Sequence, residues 1–394
     1  MPEPRVLYVN QAAQASGAER SLLALIDGLG ERVRPLVACP EGELSAEVRS
    51  RGIELLPIRG TEVSFRLHPV HTSRGLLEIA QSSLQVRRIV ERTRPDIVHA
   101  NTTRAALLAL LARRRSGPPV LAHIRDWAPE GRFPDLVLSL ISAHADAVVA
   151  NSAYVAERFA GERGERPVRV LHNPIDLARF DPSHADGVAV RADLGIGAGT
   201  VVLTVVAQIS PIKGQDHAIR VLADLLAAGG DVVLLLVGSV KFASGAAHVD
   251  NVGFADRLPR LAAELGVAER VQFLGERADI PDVLAATDIL LMPFWQDAFG
   301  RVAVEAMSMG VPVAAADAGG PREIVRDGVD GLLLPPHDPG AWAEGLRPLL
   351  DSAPRRRELG REGRSRSRDF SLERHAEGIL AVYDELSSGQ DRLL

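Results

Sequence analysis

The chain alternates short β-rich runs with longer amphipathic segments along almost its whole length, and this alternation limits its fold more than any other feature. Runs such as Arg5–Val9 and Val201–Ala207 have the length and composition of strands, whereas Ala18–Leu29 and Gln215–Ala228 have helical length and helical apolar spacing. Strands separated by helix-length segments pair in parallel through βαβ crossovers. The sequence therefore predicts an α/β fold with parallel sheets.

The strand candidates fall into two groups of similar size. They are Arg5–Val9, Pro35–Ala38, Ile53–Ile58, Asp96–His99, Val120–His123, Ala147–Ala150 and Val168–Leu171, then Val201–Ala207, Val232–Val237, Val271–Leu274, Ile289–Pro293, Val313–Ala316 and Gly331–Leu334. Between the groups lies a segment rich in Gly, Ala and Asp, which has the composition of a linker. We expect two Rossmann-like domains, at residues 1–185 and 186–371, with their sheets facing a cleft. A helix at 372–394, which has no strand left to cover in the second sheet, is expected to cross back to the first domain.

Composition agrees with this architecture. A chain of 394 residues is long for one core, and its 46% apolar but only 4% aromatic content suits parallel sheets buried on both faces. The single cysteine, Cys39, excludes an intrachain disulfide and a cysteine metal cluster. The polar N-terminus does not resemble a signal peptide, and no apolar run approaches the roughly 20 residues that span a bilayer. We expect a cytoplasmic protein.

Charge is distributed unevenly along the chain. The net charge of −6 argues against general nucleic-acid binding, yet residues 1–185 carry 24 arginines against 21 acidic residues. The excess is clearest at Arg66, Arg74, Arg87, Arg88, Arg92, Arg94, Arg113, Arg114 and Arg115. A solvated helix face is the ordinary explanation. The alternative is contact with an anionic membrane surface, which would make the protein peripheral to the inner face of the membrane, or with an acidic acceptor.

The stretch 294–320 holds two carboxylates at a chemically useful spacing. Asp297 lies in the loop after the strand that ends at Pro293, and Glu305 lies eight residues later, inside the next helix. Carboxylates suit sugar hydroxyls, whereas the free backbone N–H groups at the helix start, at Phe299, Gly300 and Arg301, suit an anionic group. Alone, the pair is equally typical of a helix-terminal acid and a surface glutamate.

Two further strand-to-helix turns carry residues of interest. The turn from Gln208 to Gly214 contains Lys213, one of only two lysines in the chain, where it could neutralise a diphosphate. The turn after the first strand contains Gly17, which would let a ligand phosphate approach the backbone. Simple turn and capping roles are the alternatives for both.

These stretches, in this order, resemble family 4 glycosyltransferases, the retaining enzymes of the two-domain GT-B fold. The resemblance extends over nearly the whole chain. Its motifs are SGAER at 16–20, PDIVHAN at 95–101, HADAVVANS at 144–152, LHNPID at 171–176, SPIKG at 210–214, the run from 273 to 293, the block from Asp297 to Glu305, GGPREIVRDGVDG at 319–331 and the run from 370 to 386.

The resemblance implies roles for individual residues. Glu305 would hold the donor ribose, Asp297 would contact hydroxyls of the transferred sugar, and Lys213 would pair with the diphosphate. Backbone amides at Phe299 and Gly300, with neighbouring Arg301, would face the sugar or diphosphate, Gly17 would line the donor phosphate, and Glu276 would lie near the base. His123 would approach the reacting sugar, although Arg125 could occupy that place instead.

The sequence departs from the family pattern at three positions. Gln208 stands where the family commonly has Arg, so one cationic partner for the diphosphate is missing. Asp297 is shorter than the usual Glu, and Ala298 replaces the usual Gly. These changes predict a differently shaped sugar pocket and leave open a non-catalytic homologue.

Together these features predict a hexosyl- or N-acetylhexosaminyltransferase. It would move the sugar from a nucleotide-diphosphate sugar to a hydroxyl acceptor, small or lipid-linked, with retention and with no cofactor. The sequence shows no D-x-D pair, so no metal is expected. Acceptor choice is assigned to the first domain, through loops such as Thr61–Ser73 and Trp127–Pro134. A nucleotide-sugar 2-epimerase and a non-catalytic sugar-nucleotide-binding protein are the alternatives.

Overall fold

The computed structural model describes residues 3–60, 69–159, 167–241 and 250–390. The chain forms two compact units, one made of Met1–Pro174 with Leu372–Leu394 and the other of Ile175–Ser371. The predicted Thr61–Ser73 loop lies outside the described residues up to position 68, as does Arg66, and helix begins at Pro69.

The first unit is an α/β layer built on seven parallel strands. The strands are β1 Arg5–Val9, β2 Arg34–Cys39, β3 Glu54–Pro57, β4 Ile97–Ala100, β5 Val120–Ile124, β6 Ala147–Ala150 and β7 Arg169–Val170. The helices between them are α1 Gly17–Leu29, α2 Glu43–Ser50, α3 Pro69–Thr93, α4 Thr103–Ala112, α5 Arg132–His144 and α6 Ala153–Ala156. The strand order is β3-β2-β1-β4-β5-β6-β7, so the direction of winding reverses between β1 and β4.

The second unit repeats this plan with six parallel strands. They are β8 Val201–Val206, β9 Val232–Val237, β10 Val271–Gly275, β11 Ile289–Met292, β12 Val313–Ala316 and β13 Gly331–Leu334, in the order β10-β9-β8-β11-β12-β13. The helices are α7 Gly187–Asp193, α8 Gln215–Ala227, α9 Asn251–Glu264, α10 Ile280–Ala286, α11 Arg301–Ser308, α12 Pro321–Ile324, α13 Pro339–Leu350 and α14 Ala353–Ser367. Here the winding reverses between β8 and β11. The predicted fold class, two Rossmann-like parallel sheets, is confirmed.

The final helix, α15 Leu372–Gln390, belongs to the first unit. It packs on α1, and one of its faces is buried. That face enters the core that also contains Val6, Leu22 and Leu25, through Ala376, Ile379, Val382, Tyr383 and Leu386. The first unit is therefore built from two separate stretches of the chain.

The boundary between the units lies earlier than the predicted position near residue 185. Ile175 and Phe180 are buried in the core of the second unit. The Ile175 N–H donates to the Phe370 carbonyl at 2.9 Å, and the Ser308 hydroxyl donates to the Phe180 carbonyl at 2.7 Å. The buried side chains of Ile175 and Phe180 thus attach this segment to the second unit, although its Gly, Ala and Asp content is typical of a linker.

Part of the predicted linker is helical. Helix α7 forms there because the Asp186 side chain accepts from the Ala189 N–H at 2.9 Å and so caps it. A Cβ at Gly187 would lie 2.3 Å from the Ala285 carbonyl carbon, so only glycine lets α7 approach α10 this closely.

The predicted Trp127–Pro134 loop is also partly helical. Helix α5 begins at Arg132 and carries Pro134 in its first turn, where backbone N–H groups have no intrahelical partner to lose. None of the helices in the described part of the chain is both long and apolar enough to cross a membrane.

We expect the α15 contact to be essential for the stability of the first unit. Ile379→Ala removes a fully buried side chain and should lower the free energy of unfolding by about 2–5 kcal/mol. Exposed Glu377 on the same helix provides the control, and Glu377→Ala should stay within about 0.5 kcal/mol of wild type. Native-state hydrogen exchange of α1 and α15 amides resolves this unit from the other. Equal exchange in the two variants would contradict the packing described.

Candidate active site

In both units the reversal of winding places a crevice at the carboxyl ends of two central strands. Open parallel α/β sheets bind ligands in this position, because the loops on either side of the reversal separate there. In the second unit the loop after β8 contains Gln208 and Lys213, and the loop after β11 contains Asp297.

An ion pair joins these two loops. Lys213 Nζ lies 2.5 Å from Asp297 Oδ2, and the two side chains are only 20% and 17% exposed. The ammonium also lies 4.5 Å from the centre of the Phe294 ring, within cation–π range. The structure thus brings together two residues that the sequence singled out independently.

Glycine allows the two loops to approach each other. Lys213 ends a single 3₁₀ turn, Pro211–Lys213, and Gly214 follows with φ of +63°. A Cβ at Gly214 would lie 2.6 Å from the Pro293 carbonyl oxygen. A side chain at this position would therefore push the lysine loop away from β11.

Asp297 is held as a carboxylate. Burial by itself would raise the pKa of Asp297, but the Lys213 ammonium, its hydrogen bond, and backbone N–H groups at Phe299 and Gly300 lower that pKa overall. The Phe299 N–H donates to Asp297 Oδ1 at 3.1 Å. In this structure the predicted anion-binding amide at Phe299 thus serves the carboxylate. Gly300, with φ of +100°, precedes the first residue of α11.

Glu305 lies inside α11, and its side chain is only 14% exposed. Its described partner is Arg301, whose guanidinium lies 3.3 Å from Glu305 Oε1 on the same helix. Arg301 and Glu305 therefore form a half-buried pair of their own, one loop away from Lys213 and Asp297.

A second lysine–acid pair lies on the other side of β8. Lys241 Nζ is 2.6 Å from Glu276 Oε1, and the Ser239 hydroxyl donates to Glu276 Oε2 at 3.2 Å. Glu276 follows β10 and Lys241 follows β9, so this pair also lies at strand carboxyl ends. Sequence reasoning singled out Glu276 but assigned nothing to Lys241. The signal was its rarity, since Lys213 is the only other lysine in the chain.

In the first unit, His123 lies at the end of β5 and is completely buried. Its Nδ1 lies 3.1 Å from His99 Nε2 and 3.2 Å from Arg125 Nη2. His99 is hydrogen-bonded in turn, through Nδ1, to the Tyr383 hydroxyl at 2.6 Å, and the His375 ring stacks on His123. His123 and Arg125, left as alternatives by the sequence, thus belong to one network.

Asparagines at the strand ends extend this network and were missed. The Asn101 amide donates to Asn10 Oδ1 at 3.1 Å, and Arg125 Nε donates to Asn101 Oδ1 at 2.9 Å. Arg125 also donates to the Asn173 side chain, and the Asn151 amide donates to the Arg125 carbonyl. The available signal was positional, because Asn10, Asn101 and Asn151 each follow a strand directly.

Gly17 is exposed and is the first residue of α1. The loop before it is fixed by the buried Glu19, whose carboxylate accepts from the Ser16 N–H and from the Asn10 side-chain amide, both at 3.1 Å. Gly17 therefore stands at the rim of the same crevice as Asn10.

Comparisons with known proteins identify the family of the chain. Residues 15–179 match the family described as "Glycosyltransferase Family 4", and residues 189–366 match "Glycosyl transferases group 1". A D-inositol 3-phosphate glycosyltransferase of Actinosynnema mirum is 33% identical over 306 residues, which are 74% of this chain and 72% of that protein. The chain belongs to glycosyltransferase family 4.

Other family 4 relatives and structures extend the comparison. The D-inositol 3-phosphate glycosyltransferase of Nocardia farcinica is 35% identical across 73% of this chain and 66% of its own length. The structure of Anabaena Alr3699/HepE in complex with UDP and glucose is 26% identical, with a TM-score of 0.82 over 97% of this chain and 99% of that one. The HepE complex with UDP-glucose is 25% identical, also with a TM-score of 0.82.

The buried histidines predict a pH dependence of stability. Burial first, and then the positive charge of Arg125, lower the pKa values of His99, His123 and His375 well below the ordinary 6.5. Below pH 6.5 these histidines become protonated in the unfolded chain but stay neutral in the folded unit. The free energy of unfolding of the first unit therefore falls as the pH falls. Each of the three histidines should lower the free energy of unfolding by about 1.4 kcal/mol for each pH unit between its unfolded and its folded pKa.

Hydrogen exchange at about pH 7 and about pH 5 would measure this loss. The second unit is the internal control, because among its described residues one histidine, His217, has a lowered pKa, against three in the first unit. The first unit should lose more stability than the second. An equal loss in both units would show that these histidines do not titrate as described.

Proposed function

We propose that this family 4 glycosyltransferase moves a hexosyl or N-acetylhexosaminyl group from a nucleotide-diphosphate sugar to a hydroxyl acceptor, with retention and without a metal. The observation that carries the proposal is the Lys213–Asp297 pair at the reversal of the second sheet. Its ammonium and carboxylate lie at the crevice where such folds bind nucleotides, and the carboxylate would bind the sugar hydroxyls.

Lys213 would serve the leaving group. Cleavage of the bond from the anomeric carbon to the phosphate oxygen develops negative charge on the diphosphate, and a fixed cation stabilises that charge where it appears. Asp297 keeps the ammonium in place before the donor binds, and its second oxygen can accept a sugar hydroxyl. Lys213 would thus supply the positive charge that other transferases take from a divalent ion.

The remaining donor contacts follow from neighbouring positions. Glu305 would accept hydrogen bonds from the ribose hydroxyls, with Arg301 holding its carboxylate. Glu276 would lie near the base. The HepE complexes with UDP and UDP-glucose support a uridine diphosphate sugar as the first donor to test.

The acceptor hydroxyl would attack on the face from which the diphosphate leaves. The anomeric carbon–phosphate bond breaks, the anomeric carbon–acceptor bond forms, and the acceptor proton passes to the departing phosphate oxygen. The acceptors to test first are small phosphorylated polyols, suggested by the D-inositol 3-phosphate glycosyltransferases among its relatives, and lipid-linked alcohols. We place the reaction in the cytoplasm or at the inner face of the membrane.

Removing either key charge should impair turnover with the fold intact. Lys213→Ala and Glu305→Ala should each lower turnover with a UDP-sugar at least about tenfold, because each removes a charged donor contact worth about 1.5–3 kcal/mol. Glu344→Ala, at an exposed acid on α13, is the matched control and should leave turnover unchanged.

The same assay tests the rest of the proposal. Chelator should leave the rate unchanged, and the new linkage should keep the anomeric configuration of the donor by NMR. Release of a free epimer without an acceptor would identify an epimerase instead. Full activity of both alanine variants would refute the site assignment.

Gln208 offers a gain-of-binding test. It follows β8 in the same loop as Lys213, so Gln208→Arg should add a charge-assisted contact and tighten UDP binding about tenfold or more. Gln208→Glu should weaken binding, and Gln208→Met should change it little. Calorimetric titration with UDP measures all three. If the Arg and Glu variants bound UDP with the same affinity, the diphosphate would not lie near this loop.

A further inference from the structure

One face of the first unit differs in chemistry from the other. Helices α3, α4 and α5 connect strands in the direction β3 to β4 to β5 to β6, and right-handed crossovers place all three on the same side of the sheet. Helix α4 contacts both α3 and α5. Helices α1 and α2 connect strands in the opposite direction and cover the other side, where α15 packs on α1. We call the first side the α3–α5 face.

Leucines protrude from the α3–α5 face. Five of them are between 38% and 63% exposed: Leu77 and Leu84 on α3, Leu111 on α4, and Leu136 and Leu140 on α5. Among the described residues of α1, α2 and α15, no large apolar side chain is comparably exposed. The exposed leucines are therefore a property of one face and not of the unit as a whole.

Arginines accompany these leucines. Exposed Arg88, Arg92, Arg113, Arg114 and Arg115 lie on α3 or at the end of α4. Some are neutralised, since Arg114 pairs with Glu91 at 2.8 Å and Arg113 with Asp146 at 2.9 Å. Arg88 and Arg115 have no hydrogen bond or ion pair to any described residue, and their charge faces solvent.

A cavity of about 390 Å³ opens between the ends of α3 and α4. Its lining mixes apolar side chains, Val90 and Ala109 among them, with charged ones of both signs. The charged residues are Arg87, Arg94, Arg113, Arg114, Glu91 and Asp96. Pro95 and Pro118 line it just before β4 and β5 begin. The cavity therefore lies at the amino edge of the sheet, opposite the edge that holds His123 and Arg125.

We propose that the α3–α5 face docks on an anionic phospholipid bilayer. Exposed leucines and exposed arginines on one face match what a membrane surface offers, which is acyl chains for the leucines and phosphate groups for the guanidinium groups. A protein partner would favour an aromatic, charge-depleted centre, whereas the protruding apolar residues here are all leucines.

Co-sedimentation of the full chain with lipid vesicles tests this proposal without any measurement of activity, so its outcome is independent of the proposed reaction. Vesicles of equal parts phosphatidylglycerol and phosphatidylcholine should bind the protein, and vesicles of phosphatidylcholine alone should bind it much more weakly. Salt at about 1 M, where charges are screened beyond about 3 Å, should weaken the binding to the anionic vesicles. Equal binding to both vesicle types, or to neither, would overturn the proposal.

Two double variants separate the contributions of leucine and arginine. Leu136→Gln with Leu140→Gln should weaken anionic-vesicle binding about tenfold, because glutamine keeps the helix but removes the apolar side chains. Arg88→Gln with Arg115→Gln should also weaken it on the order of tenfold, without breaking a described ion pair. The matched controls lie in the second unit. They are Val188→Gln with Val252→Gln for exposed apolar residues, and Arg220→Gln with Arg347→Gln for exposed arginines.

The controls decide the specificity of the effect. Vesicle binding should survive both control pairs, and circular dichroism should show all four double variants folded. Equal losses from test and control pairs would show a nonspecific charge or hydrophobicity effect. Sedimentation equilibrium could instead show that the wild-type protein is a dimer and that the Leu136→Gln, Leu140→Gln variant is a monomer. The face would then be a contact between two copies of the chain, and the bilayer proposal would be wrong.

Discussion

The half-buried ion pair between Lys213 and Asp297 fixes the geometry of the second unit where chemistry is expected. It ties the loop after β8 to the loop after β11, at the point where the sheet reverses its winding. Each charge offsets part of the cost of burying the other, because an unpaired half-buried charge is costly. The Phe294 ring and the Phe299 amide complete the surroundings of the pair. A donor diphosphate arriving here would meet a cation already held in place.

The two units use the same topological position with different chemistry. In the first, the residues that bridge the reversal are the amides Asn10 and Asn101, backed by histidines whose pKa values lie well below normal. In the second, they are a lysine and an aspartate. The first network is mostly amide and imidazole groups around the single buried guanidinium of Arg125, whereas the charged pair of the second unit suits a group that changes charge during reaction. In the proposed function, the first unit would bind the acceptor and the second unit would bind the donor.

Much of this arrangement could be predicted from the sequence. Buried parallel strands are continuous apolar runs, so their positions and the doubly wound fold were evident. Lys213 and Asp297 could be singled out because each follows a strand and one is a rare residue type. The partners of these residues could not be predicted, since an ion pair between positions 84 residues apart depends on strand order. The strand order itself is set by long-range packing that leaves no local pattern.

Local composition gave a wrong prediction where a single tertiary contact determined the structure instead. Helix α7 forms in a Gly- and Ala-rich stretch because Asp186 caps it and Gly187 packs on α10. Ile175 and Phe180 anchor a segment that resembles a linker. The asparagine network around Arg125 escaped notice because each asparagine alone looks like an ordinary strand-end residue. The network can be recognised only once the parallel strands are known to bring these asparagines to the same edge of the sheet.

The split composition of the first unit has a consequence for biosynthesis. The core around Val6 and Leu22 stays open on one side until Ile379 and Tyr383 of α15 reach it. On the ribosome those residues are translated after the whole of Ile175–Ser371. Domains of a growing chain generally fold in the order of their synthesis. Here the unit that is begun first must be completed last, so the nascent protein holds an unfinished apolar core while its second half folds.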